Sequence, residues 1–168
     1  MKLSHDQFHE LYRQHQAHIR TLIFRMNGHA HLDDLVQEVF VKIYTKRHQF
    51  DQRSSLRTWM YRIVINTVKD HWKKQSTKKW LQFFSQEDMP EAVIDARQEK
   101  KILHVEEMEI LLSVLSSKQR QVVALYAFED CSIREIAEIL NIPEGTVKSR
   151  LHSSEIVLRK QKDKENHG

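Results

Sequence analysis

The chain has 168 residues, 40% of them hydrophobic, which is enough apolar mass for one compact domain or two small ones and excludes disorder throughout. Only 3 Gly and 2 Pro leave few places to turn sharply, so long helices with few breaks, an all-α fold, are expected. The net charge of +4 makes the placement of cations more informative than their sum, and the single cysteine, Cys131, excludes an intramolecular disulfide and a thiolate zinc cluster.

Phe8, Leu11, Tyr12, His15, Ile19, Leu22, Ile23 and Met26 recur at three- and four-residue steps and predict a first helix from about 5 to 26. The opening stretch MKLSHDQFHELYRQHQ lacks the apolar core of a signal peptide, and no run is long enough to span a membrane, so a cytoplasmic location is expected. Asn27 and Gly28 tolerate positive φ and suit a C-cap. Asp33 is the expected cap of a second helix whose apolar face is Leu35, Val36, Val39, Phe40 and Ile43. After the loop KRHQFDQRSS, Ser54 or Ser55 caps a third helix, completing a first domain over residues 1–75.

That third helix, SSLRTWMYRIVINTVKDHWKK, reads as amphipathic, with Arg57, Arg62, Lys69, Lys73 and Lys74 on its polar side among Trp59, Tyr61 and Trp72. Leu56, Trp59, Met60, Ile63 and Thr67 form one stripe facing the core. Tyr61, Ile65, Val68 and Trp72 form a second. Residues 76–97 mix apolar and charged side chains without a steady period, contain Pro90 and read as a linker. Fully extended, it would reach about 70 Å, the length of roughly 20 base pairs of duplex, so two domains joined this way could occupy separate sites on one DNA.

In the second domain, residues 98–168, Ile102, Val105, Met108, Leu111, Leu112 and Leu115 mark a helix, and Ser116 or Ser117 starts another. Ser132 with Glu135 fits a capping box that opens IREIAEIL. Asn141 stands where a tight turn favours a left-handed residue, and Ala137 is small where two helices would cross. Ile136, Leu140, Ile142, Val147 and Leu151 fill the space between the two helices. Thr146, Lys148, Ser149, Arg150 and His152 are left for a DNA major groove, as in a helix-turn-helix.

Three blocks, LDDLVQEVFVKIY, FDQRSSLRTWMYRIVINTVKDHWKK and SIREIAEILNIPEGTVKSRLH, resemble in order and spacing the two conserved regions of bacterial sigma factors of the extracytoplasmic-function group. The resemblance implies an initiation factor, not an enzyme, with no cofactor or small-molecule substrate. Its partners would be core RNA polymerase, promoter DNA and an anti-sigma factor, which in this family is often at the membrane. The first block would dock on the polymerase clamp helices through Asp34, Gln37, Glu38 and Val41, an acidic and amide rim beside aliphatic surface. Phe50, Arg53, Ser54, Asn66, Lys69 and Lys73 would hold the −10 element, cations following phosphates while rings and pockets accept unstacked bases. The helix-turn-helix would read the −35 element.

Two features depart from a simple reading. Family members commonly carry arginines after the RLH of the recognition helix, where this chain has Ser153, Ser154 and Glu155, so weak −35 affinity is expected of the isolated second domain. The 11 histidines include the neighbours His5 and His9, His15 and His18, and His29 and His31, but no carboxylate or cysteine completes a metal set at convincing spacing. A competing reading is a duplex-DNA regulator whose N-terminal helices bind a ligand or a second copy.

Overall fold

A computed structural model describes residues 4–84 and 103–166. In chain order the helices are α1 (His5–Asn27), α2 (Leu32–Lys46), α3 (Leu56–Phe84), α4 (Leu103–Ser113), α5 (Ser117–Val123), α6 (Ile133–Leu140) and α7 (Glu144–Asn166). A short 3₁₀ turn, Arg47–Gln49, follows α2, and one π-helical turn, Ala124–Phe128, extends α5.

Local chemistry sets most of the boundaries. Ser4, Ser116 and Ser132 are N-caps with complete capping boxes, closed by Gln7, Gln119 and Glu135. Ser55 Oγ accepts from the Thr58 backbone N–H at 3.0 Å and starts α3, as expected of a serine there. Asn141 takes φ 52° and ψ 53° after α6, the left-handed conformation expected of it. Gly28 ends α1 at φ 67°, with its N–H on Phe24 O at 2.7 Å. A Cβ there would meet only the carboxylate end of the flexible Glu109 side chain of α4, which can swing aside, so it is the positive φ that favours glycine. The expected cap at Asp33 does not form. The N-cap of α2 is His31 in the left-handed region, without a side-chain cap, because Asp33 instead pairs with Arg20 of α1 at 2.5 Å.

α1, α2 and α3 pack as a three-helix unit, and α5, α6 and α7 as a second. Leu11, Ile19, Leu22, Ile23 and Met26 of α1 meet Leu35, Val39, Phe40 and Ile43 of α2 and the Met60 stripe of α3. Trp59 is half-buried against this core, with its ring 5.5 Å from Phe50. Ile136, Leu140 and Val147 are buried in the second unit, with Ile142 and Leu151 packed on them. Replacing a wholly buried residue such as Ile136 by Ala would cost about 2–5 kcal/mol.

α3 departs from the amphipathic reading. Ile63, Val64 and Ile65 are buried in succession, as is typical of a helix covered on more than one side. One side faces α1 and α2. The opposite side, with Tyr61, packs on α6, so the two units share one continuous core. The helix also runs on to Phe84, past position 76, with no Gly or Pro to stop it. Positions 85–97 of the expected linker, with Pro90, and Ile102 of the expected next helix lie outside the described residues.

Candidate nucleic-acid interface

The helix-turn-helix comprises α6 and α7. Lys148, Ser149 and His152 share an exposed face of α7. Thr146 is half-buried near the start of the helix, where its N–H bonds Pro143 O at 3.0 Å. Arg150 lies about 200° round the helix from Lys148 and points into a groove facing α3. The five residues expected to read duplex therefore do not form one surface here. Ser153 and Ser154 account for the missing arginines: Ser154 is 1% exposed and donates to Arg150 O, and Ser153 Oγ meets Gln119 Nε2 of α5 at 3.1 Å. Ser153 thus serves the α5–α7 seam, and Ser154 is buried on α7.

The residues expected at the −10 element fall in two groups. Phe50, Arg53 and Ser54 belong to the loop before α3, where Asp51 accepts from the Arg53 backbone N–H and pairs with its guanidinium at 2.9 Å. Asn66 is exposed on α3, while Lys69 and Lys73 line the groove that Arg150 enters. That groove, of about 640 Å³, also takes in Trp72, Lys118 and Leu140. Trp72 is held by its Nε1–H on Asn27 Oδ1 at 2.8 Å.

On α2, the expected polymerase contacts straddle two grooves. Gln37 and Val41 face α1, in a hollow with Phe8, Tyr12, Phe40 and Tyr44. Asp34 and Glu38 face α3 beside His31 and His71. Val41 is 55% exposed and Tyr12 38%, which gives this face its apolar character. Glu38 is held by Lys42 at 2.8 Å, and Lys42 also donates to Thr67 Oγ1 of α3 at 3.2 Å. Among the described residues, no group of three His, Cys, Asp or Glu is placed to hold a metal ion.

Sequence reasoning missed the seam between the units. Tyr61 Oη donates to the buried Glu129 Oε2 at 2.5 Å, and Arg25 Nη1 lies 3.5 Å from Oε1. The Arg25 guanidinium stacks 4.0 Å above the Phe128 ring. Arg57 reaches Cys131 Sγ at 3.4 Å and Glu135 at 3.8 Å, and Arg62 reaches Glu138. Arg57 and Arg62, cations on the polar side of the third helix, thus face carboxylates of α6. Burial, then the bond to Glu129, pushes the Tyr61 phenol well above its ordinary range. Burial likewise pushes the Cys131 thiol up to about 11. Glu135 is held low chiefly by the backbone N–H of Ser132. The apolar run Ile63, Val64 and Ile65 was the available signal that α3 is covered on more than one side, leaving only a narrow exposed strip at Asn66 and Asp70.

Comparison with known proteins places this geometry. Residues 11–78 match the family described as Sigma-70 region 2, and residues 106–154 match Sigma-70, region 4. The chain is 28% identical to RNA polymerase sigma factor YlaC of Bacillus subtilis over 95% of its own length and 94% of that protein. Its fold is that of sigma factor RpoE from Bartonella quintana, solved in complex with the anti-sigma factor NepR. The TM-score is 0.74 at 23% identity, covering 91% of this chain and 94% of that one. CnrH, solved with the cytosolic domain of CnrY, gives a TM-score of 0.71 at 20% identity, over 95% of this chain and 90% of that one. Such likeness over both units does not favour the competing reading, a duplex-DNA regulator whose N-terminal helices bind a ligand or a second copy. With 32% identity to the ECF RNA polymerase sigma factor SigW of Bacillus subtilis over 93% of this chain and 89% of that protein, the chain belongs to the ECF RNA polymerase sigma factors.

Proposed function

We propose that the chain directs core RNA polymerase to promoters through a division of labour between its two units. Residues 1–75 bind the core and the −10 element, residues 76–97 form a linker, and residues 98–168 bind the −35 element. Asp34, Gln37, Glu38 and Val41 meet the polymerase. Phe50, Arg53, Ser54, Asn66, Lys69 and Lys73 hold the opened strand. Thr146, Lys148, Ser149, Arg150 and His152 contact duplex.

The observation that carries this reading is the presence, in one chain, of a capped helix-turn-helix and an α2 ridge with exposed Val41 and Gln37 toward one groove and Asp34 and Glu38 toward the next. A helix-turn-helix alone would suit any duplex-binding protein; the α2 face supplies a protein-docking surface. Energetics are consistent with the division. Unstacking a base step costs about 1.4 kcal/mol and a stacking platform returns about 1–3 kcal/mol per base, so α3 and its loop can balance the first few bases while polymerase supplies the rest.

The chain acts in the cytoplasm as a binding factor without catalytic groups of its own. No described helix is long and apolar enough to cross a membrane. An anti-sigma factor is a third partner, supported by the solved relatives RpoE with NepR and CnrH with CnrY. Transcription in vitro with core polymerase on a pool of random promoters tests the reading: start-site-specific RNA is expected, and none from a purified, folded chain that also fails to bind core would refute it.

A further inference from the structure

We propose that the groove between α3 and the α5–α7 pair is a binding site for a compact polyphosphate, either inorganic or carried by a nucleoside, that exists only while the two units are closed on each other. Its walls bring Lys69 and Lys73 of α3 against Lys118 of α5 and Arg150 of α7, and no carboxylate lines it. The contrast with the rest of the seam is what points to a ligand. Arg25, Arg57 and Arg62 each face a glutamate across it. The four groove cations have no ion pair with any described residue. Closing the units gathers like charges into a partly desolvated cleft at a cost in repulsion, and a dense anion reverses the sign of that term.

Size and chemistry narrow the class. A groove of about 640 Å³ is of the size that takes a small ligand rather than a duplex. Three ammonium groups suit phosphate as point charges, and the Arg150 guanidinium can grip two phosphate oxygens at once. The Ser117 hydroxyl adds a neutral donor, and Trp72 and Leu140 give an apolar wall for a base. A phosphate chain concentrates several charges within the span of the groove, whereas the carboxylates of an acidic protein segment are spread along its length.

A ligand held by both walls stabilises the closed form by mass action. Only the next consequence rests on the proposed function: Lys69, Lys73 and Arg150 are also promoter contacts there, so ligand and promoter compete.

Calorimetric titration of the full free chain with inorganic tripolyphosphate, GTP and GMP tests the site without polymerase or promoter. Saturable binding of the first two is expected, with GMP weaker by about tenfold or more, and bound ligand should slow reaction of the interfacial Cys131 thiol. Equal affinity for tripolyphosphate and GTP assigns the phosphate chain alone; tighter GTP adds the base to the Trp72 wall. Lys118→Glu, which alters a cation outside the promoter-contact set, should weaken binding by about tenfold or more, and Lys118→Gln by less. Lys162→Glu, an exposed cation elsewhere on α7, should leave it unchanged. Absence of saturable binding, equal losses in the Lys118 and Lys162 variants, or equally tight binding of polyglutamate would overturn the assignment.

Discussion

The hydroxyl of Tyr61 on α3 is bonded at 2.5 Å to Glu129, 68 positions later in the chain, and both residues are at least 94% buried. This bond joins the α1–α3 unit to the helix-turn-helix unit. Arg25 at 3.5 Å and His18 at 3.9 Å complete the surroundings of the carboxylate. A buried carboxylate is tolerable only with such partners. Glu129→Ala should therefore destabilise the closed chain by about 1–3 kcal/mol, since it strands Tyr61 and Arg25. Tyr61→Phe should cost less, because Arg25 remains on the carboxylate. Chemical denaturation reads both losses, and thiol reactivity reads opening, since Cys131 is 2% exposed at the same seam. Unchanged stability and unchanged Cys131 reactivity in Glu129→Ala would mean that the bond does not hold the units together.

The closed seam also fixes a pH dependence. Burial raises the Cys131 thiol to about 11, from an ordinary value near 9.0, and the neighbouring Arg57 only partly opposes this. A group whose proton is held more tightly in the folded state contributes stability that is complete below its unfolded value and lost as pH rises through its folded value. Stability should thus fall between about pH 9 and 11 in a step that Cys131→Ala removes. Denaturant midpoints measured across that window for both chains test it, and superimposable profiles would exclude a contribution from Cys131.

Much of this fold was legible because its signals are local. The capping box at Ser132 and the left-handed Asn141 depend on residues within one turn of each other, so the helix-turn-helix could be read from sequence alone. Asp33 misled because a capping residue can also be an ion-pair partner, and Arg20, 13 positions earlier, was the stronger claimant. The seam was illegible for a related reason. Arg57 and Arg62 look like DNA-binding cations until α6 arrives with Glu135 and Glu138, and nothing within α3 announces carboxylates more than 70 residues away. Arg150 shows the same limit, since residue type suggests a groove-facing cation without saying which groove.

The α2 face offers a direct test of polymerase docking. Asp34→Arg with Glu38→Arg should abolish co-purification with core polymerase. Asp34 is exposed, and the ion pair of Glu38 is with Lys42 of the next turn of the same helix, so the double variant should keep its helical circular dichroism and lose less than about 1 kcal/mol of stability. Val41→Glu should weaken the complex as well, by placing a charge on the most exposed aliphatic residue of the helix. A double variant that still co-purifies at wild-type yield would remove these residues from the interface.

The weak −35 affinity expected of the isolated second domain can be assigned to particular positions after the RLH segment. Ser154 is buried, so Ser154→Arg should disrupt the packing of α7 and lower stability without strengthening DNA binding. Glu155 is different: it is exposed and holds Arg159 at 2.6 Å, neutralising a cation that could otherwise meet phosphate. Glu155→Arg removes an anion, adds a cation and frees Arg159. It should therefore tighten duplex binding and steepen the plot of log affinity against log salt by about 0.9 for each further phosphate neutralised. Glu155→Gln, which only frees Arg159, should give a smaller change of the same sign. Affinity measured at several salt concentrations on a −35 duplex separates the cases: two variants with the wild-type slope would show that this end of α7 does not approach the phosphates at all.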